Sequence, residues 1–170
     1  MTESIVELDA GGVRYRIRRA RPADRNDIIG FLSSLDRETL YYRFMAVIRD
    51  FNDYVSRILQ PGNVVVVAEA EGDGIVGVAE AVRVKDGIAE VGIVVHPGHR
   101  GRGLAKALGN ALRVEGAREG LTRFIAYILP ENYLALVLAR KFGFKIVENY
   151  GDAILVALDL GVQAPEPGTG

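Results

Sequence analysis

Residues 88–115 read IAEVGIVVHPGHRGRGLAKALGNALRVE, and contain in order an aliphatic run, a loop of glycine and arginine, and an amphipathic segment. The aliphatic run is rich in β-branched residues, which favour a buried strand, and Pro97 with Gly98 ends it. From Leu104 onward, apolar residues recur every three or four positions, which is typical of a helix. A strand, a short loop and a helix leave a row of free N–H groups at the helix start, and such a row binds anions.

Spacing separates three phosphate-binding patterns for the loop HRGRGLA. A Walker-type loop is excluded, because Leu104 and Ala105 stand where it requires Lys and Ser or Thr. A dinucleotide fingerprint is excluded as well, because Lys106 stands where it requires a third glycine. The pattern that fits is Arg/Gln-x-x-Gly-x-Gly/Ala, which Arg100, Gly103 and Ala105 fill. A basic turn that only caps a helix is the alternative.

This pattern, placed between a strand and a helix, resembles the coenzyme A pyrophosphate motif of the GNAT superfamily of N-acetyltransferases. A second landmark is ENYLALVLARKFGF, in which Asn132, Ala135 and a Gly-Phe pair match positions of that family. The sequence departs from the family at Ala139, where a tyrosine is usual. The resemblance covers residues 13–160. The run DRETLYYRFM is similar to a segment of the Pat-type protein lysine acetyltransferases of bacteria and archaea.

The resemblance implies the GNAT acyl-CoA N-acyltransferase fold, a mixed α/β fold. It has a central, mostly antiparallel mixed sheet of about seven strands, with strands 4 and 5 splayed apart, flanked by four or five helices. The alternation in VRYRIRR predicts that the first of these strands has a solvated arginine face. We expect one domain over residues 13–160, an N-terminal lead of residues 1–12 and a disordered tail of residues 161–170.

Composition limits the classes of function. The chain has 170 residues, is 49% hydrophobic and carries a net charge of −1, which suits one globular domain and gives no basic excess for nucleic acid. No apolar run reaches the roughly 18 residues of a membrane span, and the acidic start lacks the layout of a signal peptide. The chain has no cysteine and two histidines, so we expect no metal and a cytoplasmic protein.

Acetyl-CoA is the cosubstrate that the resemblance implies. The amides of the loop can reach its pyrophosphate only where no side chain intrudes, which explains the small residues in the loop. The pantetheine arm would pair like an additional strand with the end of the aliphatic run. Asn132 would contact the coenzyme or, equally, cap a helix. The residues expected to bind the coenzyme are Ile93, Val94, Val95, Arg100, Gly101, Arg102, Gly103, Leu104, Ala105 and Asn132.

Direct attack on the thioester requires a neutral amine, and lysine with a pKa near ~10.4 must first lose a proton to a carboxylate. Glu90 matches the position of the general base in histone-type GNAT enzymes; the alternative is a charge partner for an arginine such as Arg83. Glu80 is the fallback base, and Glu69 is less favoured. Tyr133 is a candidate acid, although it is as readily a surface aromatic.

The sequence therefore predicts an acetyl-CoA-dependent N-acetyltransferase that acts on a primary amine. A protein lysine is the preferred acceptor, because of the DRETLYYRFM resemblance and the absence of a separate specificity domain in so short a chain. A small-molecule amine, such as a polyamine, amino acid or antibiotic, is one alternative. A non-catalytic acyl-CoA-sensing module is the other, supported by Ala139. A homodimer is compatible with the family.

Overall fold

This computed structural model describes residues 5–46 and 48–161, and within these ranges the chain has eight strands and five α-helices. The strands are β1 (Ile5–Ala10), β2 (Val13–Arg19), β3 (Val64–Ala70), β4 (Gly74–Lys85), β5 (Ile88–Val95), β6 (Arg123–Ile128), β7 (Lys145–Asn149) and β8 (Ile154–Asp159). The helices are α1 (Arg25–Ser33), α2 (Arg37–Phe44), α3 (Asn52–Ile58), α4 (Leu104–Arg118) and α5 (Tyr133–Phe142). Two short 3-10 turns, Pro22–Asp24 and Pro97–His99, precede α1 and the glycine loop.

All eight strands belong to one sheet, in the order β1-β2-β3-β4-β5-β6-β8-β7. The first five form an antiparallel meander, and β5 with β6 is the parallel pair. The mixed α/β fold is thus confirmed, with one strand more than the sequence indicated. The additional strand is β1, at the sheet edge, within the stretch expected to be a lead; its acidic residues Glu7 and Asp9 alternate with Leu8 and Ala10, which pack against the core, and this alternation is typical of a half-buried strand. Of the predicted tail, all but Gly161 lies outside the described residues.

Two hydrophobic cores lie on opposite faces of the sheet. In β3, whose residues are almost all buried, Val64 and Val66 face α4, and Val65 and Val67 face α1 and α3. This continuous aliphatic run is what a central strand covered on both faces requires. A smaller core lies beneath α5, with Val156 among its buried residues. The described residues contain no helix long and apolar enough to cross a membrane.

The solvated arginine face predicted for β2 is wrong at Arg18, whose side chain is only 5% exposed. Its guanidinium donates two hydrogen bonds of 2.8 Å to Asp24 and two of 3.0 and 3.1 Å to Glu69. These hydrogen bonds lower the pKa of both carboxyl groups. The burial of Arg18 depends on tertiary structure, because the turn Pro22–Asp24 brings the Asp24 carboxylate over β2.

Helices α4 and α5 meet at Gly109. A side chain at this position would overlap the ring of Phe142, so the contact requires glycine although the position lies within a helix. Glycine in a helix interior costs about 1 kcal/mol relative to alanine, which the ring contact must offset.

We expect Gly109→Ala to lower the free energy of unfolding by about 1–3 kcal/mol, because the added methyl group displaces the Phe142 ring. Gly30→Ala in α1 is the matched control: nothing lies within 4 Å of its would-be Cβ, and the substitution should stabilise by up to about 1 kcal/mol. Urea denaturation of both variants measures the difference. In a Phe142→Ala background the effect of Gly109→Ala should shrink; a constant effect would show that the ring contact is not its cause.

Candidate active site

Strands β5 and β6 pair at only three positions: Ile88 with Arg123, Ala89 with Phe124, and Glu90 with Ile125. Beyond Glu90 the two strands separate, although β5 continues to Val95 and β6 to Ile128. A cleft therefore opens inside the sheet, with strand backbone along both sides. This confirms the predicted splay, which falls between the fifth and sixth strands once β1 is counted.

The glycine loop follows β5 directly and leads into α4. Gly101 and Gly103 have φ angles of 76° and 83°, a region that other residues avoid, and nothing lies within 4 Å of a Cβ built on either. No side chain caps α4 at Gly103. Within the described ranges, none of the amides of residues 101–106 donates a hydrogen bond to another group. A row of free N–H groups with open space around it fits the pyrophosphate of coenzyme A.

The two loop arginines are held by side chains outside the loop. The Arg100 guanidinium lies 3.3 Å from the Thr39 hydroxyl on α2. The Arg102 guanidinium donates a 2.6 Å hydrogen bond to the hydroxyl of Tyr15, a fully buried residue of β2. Arg102 therefore anchors the loop to the sheet through its side chain and leaves its amide in the row.

A buried histidine extends this anchor. Nδ1 of His99 lies 2.6 Å from the Tyr15 hydroxyl, and Nε2 lies 3.3 Å from a carboxylate oxygen of Asp73 in the turn between β3 and β4. Arg102, Tyr15, His99 and Asp73 form one chain of polar contacts under the loop. Sequence reasoning missed this chain, because its members are up to 87 residues apart.

The other residues expected to bind coenzyme lie on β5, in the first turn of α4 and at the start of α5. In β5, Val95 and Ile93 contribute to the core beneath α4, and Val94 to the core on the opposite face. Their side chains are thus used in packing and their backbone faces the cleft region. Leu104 is buried, and Ala105 is half-buried in the first turn of α4. Asn132 caps α5 by accepting the Ala135 N–H at 3.2 Å, which is the capping alternative; a coenzyme contact from its amide stays a prediction.

The two candidate bases lie on one face of neighbouring strands. Glu80 on β4 is opposite Gly92 on β5, and Glu90 is opposite Val82. Glu80 is 4% exposed, accepts a 2.7 Å hydrogen bond from the Tyr54 hydroxyl and forms an ion pair with Arg43. Glu90 is exposed, at the point where the cleft opens.

Three other predicted roles depend on neighbours. Arg83 donates to the carbonyl oxygen of Glu119 at 2.9 Å, so it does not serve as the charge partner suggested for Glu90. Glu69 accepts hydrogen bonds from Arg18, and these bonds lower the pKa of the Glu69 carboxyl group. A lowered pKa makes Glu69 a weak base. Tyr133 is 73% exposed at the start of α5, which is compatible with a surface aromatic.

Arg43 and Tyr54 are residues of the site that sequence reasoning missed. The Arg43 guanidinium lies over Gly92, donates to the Tyr54 hydroxyl at 3.1 Å and stacks 4.5 Å from the centre of the Phe44 ring. Burial raises the pKa of Tyr54, Arg43 opposes that shift, and the charge of Glu90 adds to it. Glu90 is thus within electrostatic reach of the same hydroxyl. The sequence signal that could have pointed to these residues was the Arg-Phe pair, Arg43 and Phe44, within DRETLYYRFM.

The profile of the acetyltransferase (GNAT) family matches residues 27–144, more than two thirds of the chain. The chain belongs to the GNAT acetyltransferase family. This match confirms the predicted enzyme class, an acetyl-CoA-dependent N-acetyltransferase. Among the described residues, no group of three or more His, Asp or Glu side chains is arranged to hold a metal ion.

Solved structures share the fold. The GNAT domain of S. lividans PAT is 24% identical, with a TM-score of 0.81 over 92% of this chain and 96% of that one. The Salmonella typhimurium protein yncA, a putative acetyltransferase solved with its cofactor acetyl-CoA, is 24% identical, with a TM-score of 0.72 over 88% and 96%. A putative phosphinothricin N-acetyltransferase is 22% identical, with a TM-score of 0.67 over 87% and 99%. At these identities the likeness establishes the fold.

We expect Gly103→Glu to weaken coenzyme A binding at least tenfold, because the side chain strains a positive-φ position and places a carboxylate beside the amides expected to bind the pyrophosphate. Gly120→Glu is the control: its φ is 85°, nothing lies within 4 Å, and it follows the opposite end of α4. Isothermal titration of coenzyme A into both variants makes the comparison. Equal affinities would remove the loop from the binding site.

Proposed function

We propose that this protein transfers the acetyl group of acetyl-CoA to a primary amine, preferably a lysine side chain of a protein. The observation that carries the proposal is the cleft between β5 and β6, which has the row of free amides beyond one end and Glu90 at its closed end. An extended ligand bound along this cleft would have its anionic part on the loop and its far end near the carboxylate. In this proposal, coenzyme binding and proton transfer lie along one line.

The coenzyme would be held by parts of the chain with different chemistry. The amides of residues 101–106 would hold the pyrophosphate, since charged acceptors form stronger hydrogen bonds than neutral ones. The backbone of Ile93, Val94 and Val95 would pair with the amides of the pantetheine arm, as an additional strand pairs with a sheet edge. The thioester supplies an activated acyl group and a thiolate leaving group.

Glu90 is the proposed general base. Its carboxylate is exposed and unpaired with any arginine in the described ranges, so it can accept a proton from an incoming ammonium group directly or through water. Glu80 is the fallback, but its ion pair with Arg43 favours the carboxylate form and makes it the weaker base. The leaving thiolate, with a thiol pKa near ~8.5, needs little help from an acid. The exposed Tyr133 is therefore dispensable in this proposal.

The acceptor preference rests on the DRETLYYRFM resemblance, and the likeness to the GNAT domain of S. lividans PAT supports it at the level of fold. A small-molecule amine is the alternative acceptor, and a non-catalytic acyl-CoA sensor is the alternative outside catalysis. Ala139 supports the sensor, since it lies in the small core beneath α5 and offers no hydroxyl. A cytoplasmic location and a homodimer belong to the proposal.

We expect Glu90→Gln to reduce acetyl transfer to lysine peptides by about 10²–10⁴-fold, with coenzyme affinity unchanged, because only the proton acceptor is lost. Glu148→Gln, an exposed position on β7, is the control for a lost carboxylate. Thiol release is followed with a pool of lysine peptides and with a polyamine panel.

Each outcome separates the alternatives. Turnover on polyamines alone would replace the protein acceptor by a small amine. Coenzyme binding without turnover on either panel would favour the sensor. A wild-type rate in Glu90→Gln together with a large loss in Glu80→Gln would transfer the role of base to Glu80.

A further inference from the structure

We propose that Arg43 is a positioning residue that decides which of two carboxylates takes the amine proton: it holds Glu80 as an ion pair, while Glu90 forms no ion pair in the described ranges. The inference rests on the acetyltransferase function proposed above and adds to it a charge arrangement that the motifs of the sequence do not reveal. It follows from contacts on the face of β4 and β5 beneath α2 and α3.

Two carboxylates occupy this face as diagonal neighbours. Glu80 is opposite Gly92, and Glu90 lies two residues before Gly92 on the same face of β5. Diagonal neighbours on adjacent strands are roughly 7–8 Å apart. Two negative charges at this separation disfavour each other. A single base therefore needs a cation that neutralises the other carboxylate.

The Arg43 guanidinium is fixed in the place where that cation is needed. Its Nη2 atom contacts both Glu80 and the Tyr54 hydroxyl, and the group stacks on the Phe44 ring. A side chain at position 92 would overlap the guanidinium, so Gly92 leaves the space that the guanidinium occupies. Gly92 does not have a positive φ angle, so what glycine provides at this position is room for the guanidinium. Because Nε lies over Gly92, it is buried without a hydrogen-bond acceptor.

The groups that face this site come from four elements. They are Arg43 from α2, Tyr54 and Arg57 from α3, Glu80 from β4 and Glu90 from β5. Tyr54 is kept protonated by burial and donates its hydrogen bond to Glu80, and Arg57 stacks on its ring at 5.4 Å. Among the described residues, Arg43 alone forms an ion pair with Glu80. Removing Arg43 would thus leave two carboxylates with no cation between them.

The test follows glutamate carboxyl titrations by ¹³C NMR on the full chain, with Glu90 assigned from the Glu90→Gln spectrum. In Arg43→Gln the upper titration midpoint of the Glu80 and Glu90 pair should rise by about one pH unit or more. In Arg43→Lys, which keeps the charge, the midpoint should stay near that of the wild type. In Arg43→Gln/Glu80→Gln a single titration near the wild-type midpoint should return. Arg37→Gln, exposed on α2, is the control for a lost positive charge.

The Glu80→Gln variant should shift the titration midpoint in the opposite direction, and it leaves no buried carboxylate unpaired. It frees the Arg43 charge to act on Glu90, whose midpoint should fall. A structural role for Arg43 alone would not produce shifts of opposite sign in the two variants. Unchanged midpoints, or shifts of the same sign, would overturn the inference.

Kinetics separates this inference from the proposed function. If the wild type acetylates an amine, the acidic limb of the pH profile of kcat in Arg43→Gln should move with the raised titration midpoint. The KM for acetyl-CoA should stay within about twofold of the wild-type value. A limb that stays at the wild-type pH would overturn the positioning role. Shifted titrations in a protein that acetylates no amine would instead reject the proposed function and leave the charge arrangement in place.

Discussion

The parting of β5 and β6 after three paired residues is the constraint on which the rest of the site depends. A parallel pair normally continues, because each unpaired N–H and C=O group within a sheet loses a hydrogen bond. Here the pairing ends at Glu90, and the strands continue apart to Val95 and Ile128. The backbone groups that face the opening are free to pair with an extended ligand. The cores on both faces of the sheet hold the strands in place, so that this edge is preformed.

The glycine loop is anchored to the sheet by side-chain contacts. Two positive-φ glycines would by themselves give a flexible connection, yet the loop is tied to the sheet by the hydrogen bond from Arg102 to Tyr15 and by the contacts of His99. Tyr15 is fully buried in the core beneath α4, so the anchor is part of that core. A preorganised row of amides loses little conformational entropy when an anion binds. Arg102, one of the two loop arginines expected to bind the coenzyme, is in this chain the residue whose side chain fixes the row.

The sequence was most informative where function depends on the backbone. The strand, glycine loop and helix of residues 88–115 were predictable because a free amide row requires small residues and a helix start, and both are visible in sequence. The roles of Arg18, Arg43 and Arg102 were not predictable. Each guanidinium meets a partner that only tertiary structure supplies, such as Glu69 for Arg18 and Tyr15 for Arg102. Strand β1 was missed although it was predictable, because Leu8 and Ala10 alternate with Glu7 and Asp9 as in a half-buried edge strand.

Glu80 and Glu90 show how environment assigns roles to identical side chains. Both lie on the same face of adjacent strands, and strand alternation alone cannot tell a base from a structural carboxylate. Glu80 is buried, and a buried carboxylate without a partner would be protonated or destabilising. Its ion pair with Arg43 and its hydrogen bond from Tyr54 satisfy it. Glu90 has neither partner and is exposed beside the cleft, which is why Glu90 is the carboxylate that we propose as the general base. The difference between the two glutamates is therefore set by α2 and α3, the elements that the glycine motif does not include.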